Sequence, residues 1–386
     1  MSVSRQQSNN KLVKWERKKS KNNNAGPRSV HYGLHNQGAT CYLNSVLQVL
    51  SMTTEFQDRL ESKSQATDNE LKTLFNNLKK GTCGTEKITE ILGVENVHLQ
   101  GDAADCLVTI LRKISPQASE VFKGERTDTI KCCKGHTINE EIDPFWYLSL
   151  ALEDTDDASH SVERGFERIF RSRVLDGDTV HCGACGEETK ATCESAMVSY
   201  PQILSLLIQR FIFDNNTKAH FKSSRRVDVP RKLQRDHKKY EVYAVVSHVG
   251  SLQGGHYTAS VRSDGDGAWY EFNDANVHKI KEQPFAESET YSSSTAYLLM
   301  YREAQTNRDQ VAVNIDGDAI QNVPPQRTEA PIPRRGGRGD KSSRPLAKCP
   351  TCRVTPLWIS VIVVVFVSVL VLVVVLSVVC SRKGSC

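Results

Sequence analysis

The chain has 386 residues, of which 39% are hydrophobic and 25% are charged, enough apolar material for one large globular domain or two ordinary ones. This composition excludes a chain that is disordered throughout. The formal net charge of +5 comes largely from segments outside the expected fold, so no nucleic-acid partner is predicted.

The first 29 residues form a basic arm that contains the run KLVKWERKKSKNNN. The arm has no apolar stretch that could serve as the core of a secretory signal, so we expect a disordered, solvated segment that stays in the cytosol. Binding of nucleic acid or anionic lipid is the less favoured interpretation. In the cytosol the 12 cysteines are expected to be reduced thiols with catalytic, metal-binding or packing roles.

Residues 32–50, YGLHNQGATCYLNSVLQVL, contain the first candidate catalytic residue. Gly33 and Gly38 indicate a flexible loop, and Cys41 precedes a segment with the apolar periodicity of a helix. The pattern predicts that Cys41 lies at a helix start, where unpaired amides and the helix dipole lower the pKa of a thiol. Taken alone, a cysteine before a helix is more often only a buried residue.

Two cysteine-rich segments lie in the middle of the chain. Cys182 and Cys185 form HCGACG, a turn whose CxxC spacing lets two thiolates converge on one tetrahedral metal. The other segment, KCCKGH, is irregular: Cys133 and His136 give a CxxH pair, and Cys132 is a substitute with a different reach. Packed or hydrogen-bonded thiols are the alternative interpretation.

Residues 240–261, YEVYAVVSHVGSLQGGHYTASV, predict two strands around a glycine-rich turn. His256 enters the second strand directly after Gly254 and Gly255, so a base placed there can approach a thiol. A third strand, AWYEFNDANV at residues 268–277, places Asn273 and Asp274 on alternate faces and offers an orienting partner for the imidazole. The order cysteine, histidine, asparagine or aspartate is that of a catalytic triad.

Three other histidines are weaker candidates for the base. His31 and His35 are close to Cys41 in sequence, but they lie on its own approach loop and are interpreted as surface residues. His248 lies in the strand before the turn and is interpreted as a loop or packing histidine.

The C-terminal part of the chain predicts a membrane anchor. Residues 305–354 are rich in Pro, Gly, Arg, Asp and Gln and indicate a flexible linker. Residues 355–380 contain the run LWISVIVVVFVSVLVLVVVLSVVC, which is uncharged and long enough as a helix to cross a hydrocarbon core of about 30 Å. Only residues 381–386 follow, so we expect a single-pass, tail-anchored protein whose large N-terminal part faces the cytosol. The receiving organelle is not specified.

Several ordered motifs resemble those of the ubiquitin-specific proteases. GLHNQGATCYLNSVLQ is similar to the cysteine box of that family, and the segment from YEVYAVV to GHYTA followed by WYEFND is similar to its histidine box. QGDAADCLVTIL resembles the acidic helix, PQILSLLIQRFIFD the central strand and AYLLMYRE the closing strand. The resemblance implies an α+β fold of the papain-like cysteine protease type, with fingers, palm and thumb subregions, over residues 30–304.

The resemblance also implies roles for the candidate residues. Cys41 is the nucleophile, His256 the base and Asn273 the residue that orients the imidazole, while the adjacent Asp274 is a supporting or alternative third member. Asn36, five residues before Cys41, matches the side-chain donor of the oxyanion hole.

Recognition of the substrate tail is implied at the acidic helix and the start of the histidine strand. Asp102 and Asp105 match positions that contact a tail arginine, although acids at a helix start are favoured without any ligand. The resemblance also assigns the channel to Gln100, Gly255 and Tyr257. Gly101, Asp105 and Cys106 depart from the family's usual residues, which predicts weaker tail binding.

Many members of the family carry a four-cysteine zinc ribbon at the positions of the two cysteine-rich segments. The resemblance therefore implies a structural zinc held by Cys133, His136, Cys182 and Cys185, and no cofactor for catalysis.

The function that these motifs indicate is hydrolysis of the bond after the C-terminal glycine of ubiquitin, or of a ubiquitin-like modifier, on membrane-associated substrates. The predicted partners are ubiquitin, ubiquitinated proteins and the lipid bilayer. The alternatives are a catalytically weak ubiquitin-binding pseudoenzyme that recruits modified proteins to a membrane, and a general papain-like peptidase.

Overall fold

The computed structural model describes residues 31–61, 65–152, 160–214, 217–252 and 254–304, and within them the side chains of residues 176–178 are left out. The predicted basic arm, the linker of residues 305–354, the membrane helix of residues 355–380 and the terminal residues 381–386 lie outside these ranges. Among the helices of the described residues, none has both the length and the apolar character that a membrane crossing requires.

Helices occupy the first part of the described chain. The α-helices are α1 (Cys41–Ser51), α2 (Thr54–Gln57), α3 (Ala66–Leu78), α4 (Glu86–Leu92), α5 (Ala103–Lys113), α6 (Pro116–Ser119) and α7 (Val162–Ile169), with one 3₁₀ turn at Glu120–Phe122. Nearly every residue of α1 is buried, so this helix forms the centre of the helical part. Gly93 ends α4 in a left-handed conformation, and the Asp102 side chain caps the N-terminus of α5.

Strands form most of the remainder. They are β1 (Gly124–Cys132), β2 (Thr137–Phe145), β3 (Leu148–Ala151), β4 (His160–Ser161), β5 (Arg173–Cys182), β6 (Glu187–Ser199), β7 (Ile203–Gln209), β8 (Phe211–Asp214), β9 (Ala219–Lys222), β10 (Val227–Pro230), β11 (Lys232–Arg235), β12 (Lys238–Gly250), β13 (Gly255–Arg262), β14 (Trp269–Asn273), β15 (Asn276–Lys279), β16 (Thr290–Ser293) and β17 (Ala296–Glu303). Helices followed by mainly antiparallel sheets define an α+β architecture, as the sequence predicts.

The largest sheet positions the candidate site. Its strand order is β15-β14-β13-β12-β17-β7-β3, with β11 beside β12, and its pairs are antiparallel except β3 with β7. One face packs against α1 and the other N-terminal helices, and the opposite face packs against α7 and the small sheet β16-β10-β4. Because α1 lies across β13, the start of the helix meets the start of that strand.

The segment predicted as one central strand, residues 201–214, is broken at Arg210. β7 belongs to the large sheet, whereas β8 pairs with β9 in a separate two-stranded hairpin. The Arg210 side chain is fully buried, and its guanidinium donates to the backbone oxygens of Ala296, Ser223, Arg225 and Ser293. Burial lowers the pKa of Arg210 to about 10, so the group remains charged at neutral pH. One buried cation therefore connects the hairpin to the sheet.

Strands β1, β2, β5 and β6 form a separate four-stranded sheet of order β2-β1-β6-β5, named here the finger sheet. The turn between β1 and β2 and the turn between β5 and β6 contain the two cysteine-rich segments. Since β1 pairs with β6, these two turns lie side by side at one end of the sheet.

Candidate active site

Cys41 is the first residue of α1, and its side chain is 3% exposed. The backbone amide of Tyr257, the residue directly after His256, donates to the Cys41 Sγ at 3.5 Å. The sulfur therefore lies beside the start of β13, more than two hundred residues away in sequence. Burial raises the pKa of Cys41, and the negative charge of Asp274 adds to this, although the Tyr257 amide opposes it. The amides at the helix start lower the pKa of Cys41 as predicted, but burial outweighs them and the net shift is upward.

His256 is the second residue of β13 and is held by Asn273 at the end of β14. Its Nε2 lies 2.7 Å from Asn273 Oδ1. Since an amide oxygen only accepts, Nε2 carries the proton in this contact and Nδ1 is the nitrogen left to receive a proton from a thiol. A raised pKa disfavours the thiolate of Cys41, so a base beside it helps to form the nucleophile.

The third candidate member, Asp274, lies outside the strand. The predicted strand of residues 268–277 is two strands, β14 and β15, and Asp274 begins the turn between them with a left-handed φ of +50°. Asp274 Oδ2 is 3.8 Å from His256 Nε2, whereas Asn273 Oδ1 is 2.7 Å away. The sequence leaves either Asn273 or Asp274 as the third member of the triad. Of these two, Asn273 is the one that contacts the imidazole.

Asn36 is exposed on the loop before α1 and has a fixed side-chain amide. Its Oδ1 accepts from the backbone N–H groups of Gly38 at 2.8 Å and Thr40 at 3.1 Å. Its Nδ2 donates to Asp274 Oδ2 at 3.0 Å. The loop can approach the β14–β15 turn this closely because Gly33 has no side chain: a Cβ there would lie 2.3 Å from the Asp274 carbonyl oxygen.

The start of β13 is also bound to the segment that precedes α5. Gln100 pairs with the backbone of Gly255 twice: its Nε2 donates to the Gly255 oxygen at 2.5 Å and its Oε1 accepts from the Gly255 N–H at 3.0 Å. A Cβ on Gly255 would lie 2.2 Å from His248 Nε2, so only glycine fits. His248 itself is buried against the rings of Phe211 and Tyr257, as expected for a packing histidine.

The other two histidines near the nucleophile differ from each other. His35 is exposed, as predicted. His31 is not a free surface residue: its ring packs edge-on against Tyr270 with centroids 4.4 Å apart, and burial lowers its pKa. Neither residue has a recorded contact with Cys41.

The two acids of the predicted rim have different surroundings. Asp102 Oδ1 accepts from the N–H groups of Ala104 and Asp105, and Oδ2 accepts from the hydroxyls of Tyr257 and Tyr297. The Asp102 carboxylate thus has four internal donors, and its contact with the substrate tail stays a prediction. Within the described part of the chain, by contrast, no donor is recorded at the Asp105 carboxylate.

Asp105 borders a cavity of about 230 Å³ beside the nucleophile. The cavity lies between the start of α1, the end of α4 and the first turns of α5. Burial and the charge of Asp102 raise the pKa of Asp105 to about 6, although Arg112 opposes this. Gly101 and Cys106, where the family's usual residues are larger, also line the cavity, and the Tyr42 ring lies where a Gly101 side chain would be. A basic side chain would find one available carboxylate here.

Four candidate metal ligands converge at the end of the finger sheet, and Cys132 occupies the position predicted for Cys133. The ligand atoms of Cys132, His136, Cys182 and Cys185 all lie within 4.8 Å of one another. Cys132 is the last residue of β1 and its sulfur joins the cluster, whereas Cys133 begins the turn and lies outside the cluster. Cys133 is exposed and accepts a hydrogen bond from the Thr189 hydroxyl.

The spacing of these atoms fits a tetrahedral zinc. Sγ of Cys132 and Sγ of Cys185 are 3.9 Å apart, and His136 Nδ1 is 3.3 to 3.8 Å from the three sulfurs. Zinc–sulfur and zinc–nitrogen bonds of usual length give tetrahedral edges of about 3.5 to 3.8 Å. Three thiols and one imidazole, two from each turn, would join the β1–β2 and β5–β6 turns through the ion.

Sequence reasoning missed Asn44, which is 2% exposed in α1 and donates to Asp274 Oδ1 at 2.8 Å. The available signal was weak: Asn44 is one of several polar residues, with Ser45 and Gln48, in the helix that follows the nucleophile. It also missed Tyr297, whose hydroxyl reaches Asp102 from β17. That contact crosses nearly two hundred residues and leaves no local pattern.

Comparison with known proteins places these features in a family. A family model described as "Ubiquitin carboxyl-terminal hydrolase" matches residues 32–301. Ubiquitin carboxyl-terminal hydrolase 7 of Drosophila melanogaster is 24% identical over 375 residues, covering 86% of this chain and 32% of that protein. Ubiquitin carboxyl-terminal hydrolase 47 of Homo sapiens is 25% identical over 390 residues, covering 74% of this chain and 28% of that protein. The chain thus corresponds to about a third or less of these relatives.

Solved structures show the same fold. A chain of the SAGA DUB module of Ubp8, Sgf11, Sus1 and Sgf73 bound to monoubiquitin matches with a TM-score of 0.59 and 23% identity, covering 72% of this chain and 70% of that chain. The module bound to ubiquitin aldehyde gives a TM-score of 0.57 at 23% identity, with the same coverage. At this level of identity the likeness supports the fold.

Proposed function

The chain belongs to the ubiquitin carboxyl-terminal hydrolase family, and from that membership we propose that it is a cysteine-type deubiquitinase that hydrolyses the bond after the C-terminal glycine of ubiquitin. The observation that carries the proposal is the hydrogen bond from the Tyr257 amide to the Cys41 sulfur, because it sets the thiol beside the strand that bears His256. Asn273 holds the imidazole with Nδ1 free of that contact.

The geometry supports a two-stage thiol mechanism. His256 takes the Cys41 proton at Nδ1, and the thiolate attacks the carbonyl carbon of the terminal glycine, forming a carbon–sulfur bond while the carbonyl electron pair moves to oxygen. The imidazolium then protonates the leaving amine as the carbon–nitrogen bond breaks. Water hydrolyses the thioester and restores the thiol. In this proposal the ubiquitin tail lies along Gly255 and Tyr257 at the start of β13.

A ubiquitin with a C-terminal electrophile tests the activity on the full chain. Covalent capture that is lost in the Cys41→Ala form is the expected result. Reversible binding without capture would instead support a pseudoenzyme that only recruits ubiquitinated proteins. Cleavage of casein-like chains without capture of ubiquitin would support a general peptidase.

The proposed substrates are ubiquitinated proteins at a membrane, because the uncharged run Leu357–Cys380 is long enough to anchor the enzyme in a bilayer. In this arrangement residues 305–354 tether the catalytic domain on the cytosolic side. Carbonate extraction of membranes from cells that express the full chain tests the anchor. Retention of the full chain and release of a form that ends at Ala304 is expected; release of both would refute the anchor.

We further propose that the cluster at the end of the finger sheet binds a structural zinc through Cys132, His136, Cys182 and Cys185, whose spacing fits the ion. Bound there, zinc would crosslink two turns and take no part in the chemistry. Metal analysis of the purified protein and of the Cys182→Ser, Cys185→Ser double variant tests this. Equal metal content in the two proteins would remove the proposal.

A further inference from the structure

The Asp274 carboxylate lies where three segments of the candidate active site meet. Its Oδ2 accepts from Asn36 on the loop before α1 at 3.0 Å, and its Oδ1 accepts from Asn44 in α1 at 2.8 Å. The Asp274 backbone oxygen accepts from the Leu34 amide at 2.9 Å. The turn between β14 and β15 thereby holds both the start of the nucleophile helix and the loop before it.

The position of the carboxylate is itself constrained. Asn44 is buried, and its Nδ2 is surrounded by three acceptors: Asp274 Oδ1, the His35 backbone oxygen at 3.3 Å and the Leu34 backbone oxygen at 3.5 Å. Because all three groups can only accept, the Asn44 amide has one possible orientation. Asn44 therefore fixes one oxygen of Asp274 and leaves the other for Asn36.

The Asn36 amide is held at three points as a result. Its oxygen accepts from the backbone amides of Gly38 and Thr40, and one of its N–H groups donates to Asp274. A primary amide has two N–H groups. The second N–H group is therefore left with a fixed direction, on an exposed loop five residues before the nucleophile.

The Asp274 carboxylate is better placed to hydrogen-bond the Asn36 amide than the His256 imidazole. Its closer oxygen is 3.8 Å from His256 Nε2, beyond hydrogen-bonding distance, and that nitrogen already contacts Asn273 at 2.7 Å. Both carboxylate oxygens instead have side-chain amide donors.

We propose that Asn44 and Asp274 are positioning residues that hold the Asn36 amide so that its remaining N–H group donates to the oxyanion formed when the Cys41 thiolate attacks the glycine carbonyl. This inference rests on the proposed hydrolysis. It assigns Asp274 to the oxyanion donor rather than to the base, and it gives Asn44 a role in catalysis that acts entirely through the other two residues.

A double-mutant cycle on the full chain tests the assignment. With a fluorogenic amide of ubiquitin as substrate, Asn36→Ala should lower kcat by about 10² to 10³, the usual cost of one oxyanion-hole donor. Asp274→Ala should lower kcat by about 10- to 100-fold and change KM by less than about threefold. Because Asp274 acts through Asn36, adding Asp274→Ala to Asn36→Ala should cost nothing further.

The pH profile separates the loss of the oxyanion donor from a change in the base. The Asp274 carboxylate lies 3.8 Å from His256 Nε2, so the acid limb of kcat/KM should move in Asp274→Ala through loss of that charge alone. The variants of the cycle are therefore compared at the pH optimum of each. Multiplicative effects in the cycle under those conditions would assign the carboxylate to His256 and overturn the inference.

Asn44→Ala should reproduce the Asp274→Ala defect in kcat at a weaker level. Because Asn44 is buried, its melting temperature is measured alongside, and if this variant does not fold, the cycle at Asp274 alone decides. A wild-type chain that fails to react with the ubiquitin electrophile would refute the proposed function. A wild-type chain that reacts, with Asp274→Ala at full kcat, would refute only the positioning role.

Discussion

The residues of the candidate active site, called the cleft below, lie on elements that a large apolar core holds in place. In the finger sheet, by contrast, the four candidate metal ligands meet at one end of a sheet with two open edges. Cys41 and Asn44 belong to a helix buried on nearly all sides, and polar contacts there orient groups on a rigid support. Cys132 and Cys182 instead end strands of a sheet whose outer members, β2 and β5, have no further strand beside them among the described residues. From this comparison we expect substitutions in the cleft to change the rate of catalysis, and substitutions of the metal ligands to change the stability of the finger sheet.

The largest effect is expected at the nucleophile. Cys41→Ala should lower kcat/KM for a ubiquitin amide by at least about 10⁴-fold, because no other thiol lies beside His256 in the described residues. The free energy of unfolding should change by only about 1 kcal/mol, since the side chain removed is small. Steady-state kinetics and thermal melting measure the two quantities. A large loss of stability with little loss of kcat/KM would contradict the expectation that cleft residues determine catalysis rather than stability.

The second-largest effect is expected at Asn273, which orients the imidazole of His256. Asn273→Ala should lower kcat by about 100-fold, because His256 loses the acceptor that fixes its tautomer. Asn276, the exposed partner of Asn273 across the turn, is the matched control. Asn276→Ala should keep kcat within about twofold of the wild-type value in the same assay. Equal defects in the two variants would mean that the turn as a whole matters, rather than the contact with His256.

Substitution of the metal ligands in the finger sheet should lower the melting temperature and leave kcat nearly unchanged. The Cys182→Ser, Cys185→Ser double variant should melt at a lower temperature and raise KM about tenfold, because the two turns lose their common metal. The value of kcat should remain within about twofold, since none of the described finger-sheet residues is hydrogen-bonded to Cys41 or His256. Cys133→Ser is the control, because this exposed thiol lies outside the cluster. A chelator should reproduce the effect of the double variant, and a strong loss of kcat would contradict the division of roles.

The smallest expected effect concerns Asp105, whose pKa is raised to about 6 by burial and the nearby charge of Asp102. Between pH 4 and pH 6 the folded state binds more protons at this carboxyl than the unfolded state, so stability falls as the pH rises through that window. Asp105→Asn should therefore raise the melting temperature by about 2 °C at pH 7.5 and have no stabilising effect at pH 4. Melting curves at the two pH values provide the measurement. A gain at pH 4 alone would refute the assigned cause.

The local features of the cleft could be predicted from the sequence. The apolar periodicity after Cys41 predicts α1, and the glycines before His256 predict the start of β13; both elements begin as expected. These two features depend on helix periodicity and on glycine, which act over a few residues. The closing strand β17 corresponds to the segment that the resemblance to the family implied.

The features that could not be predicted depend on contacts between distant segments. The choice of Cys132 over Cys133 is decided by which side of β1 faces the β5–β6 turn, and the sequence does not specify that register. The resemblance to the family implies a contact of Asp102 with the substrate tail, and the sequence carries no sign of its internal partners. The engagement of Asp102 by Tyr257 and Tyr297 becomes apparent only when β13 and β17 lie beside α5.

The buried guanidinium of Arg210 has a consequence for inherited variation. Four backbone oxygens from two segments, residues 223–225 and 293–296, depend on this one side chain, and lysine, with a single nitrogen, cannot reach them all. An Arg210→Lys allele would therefore keep the charge and still release the β8–β9 hairpin from the sheet as the temperature rises. Such an allele should be temperature-sensitive, with an enzyme that is competent in the cold and fails on warming before the rest of the domain unfolds.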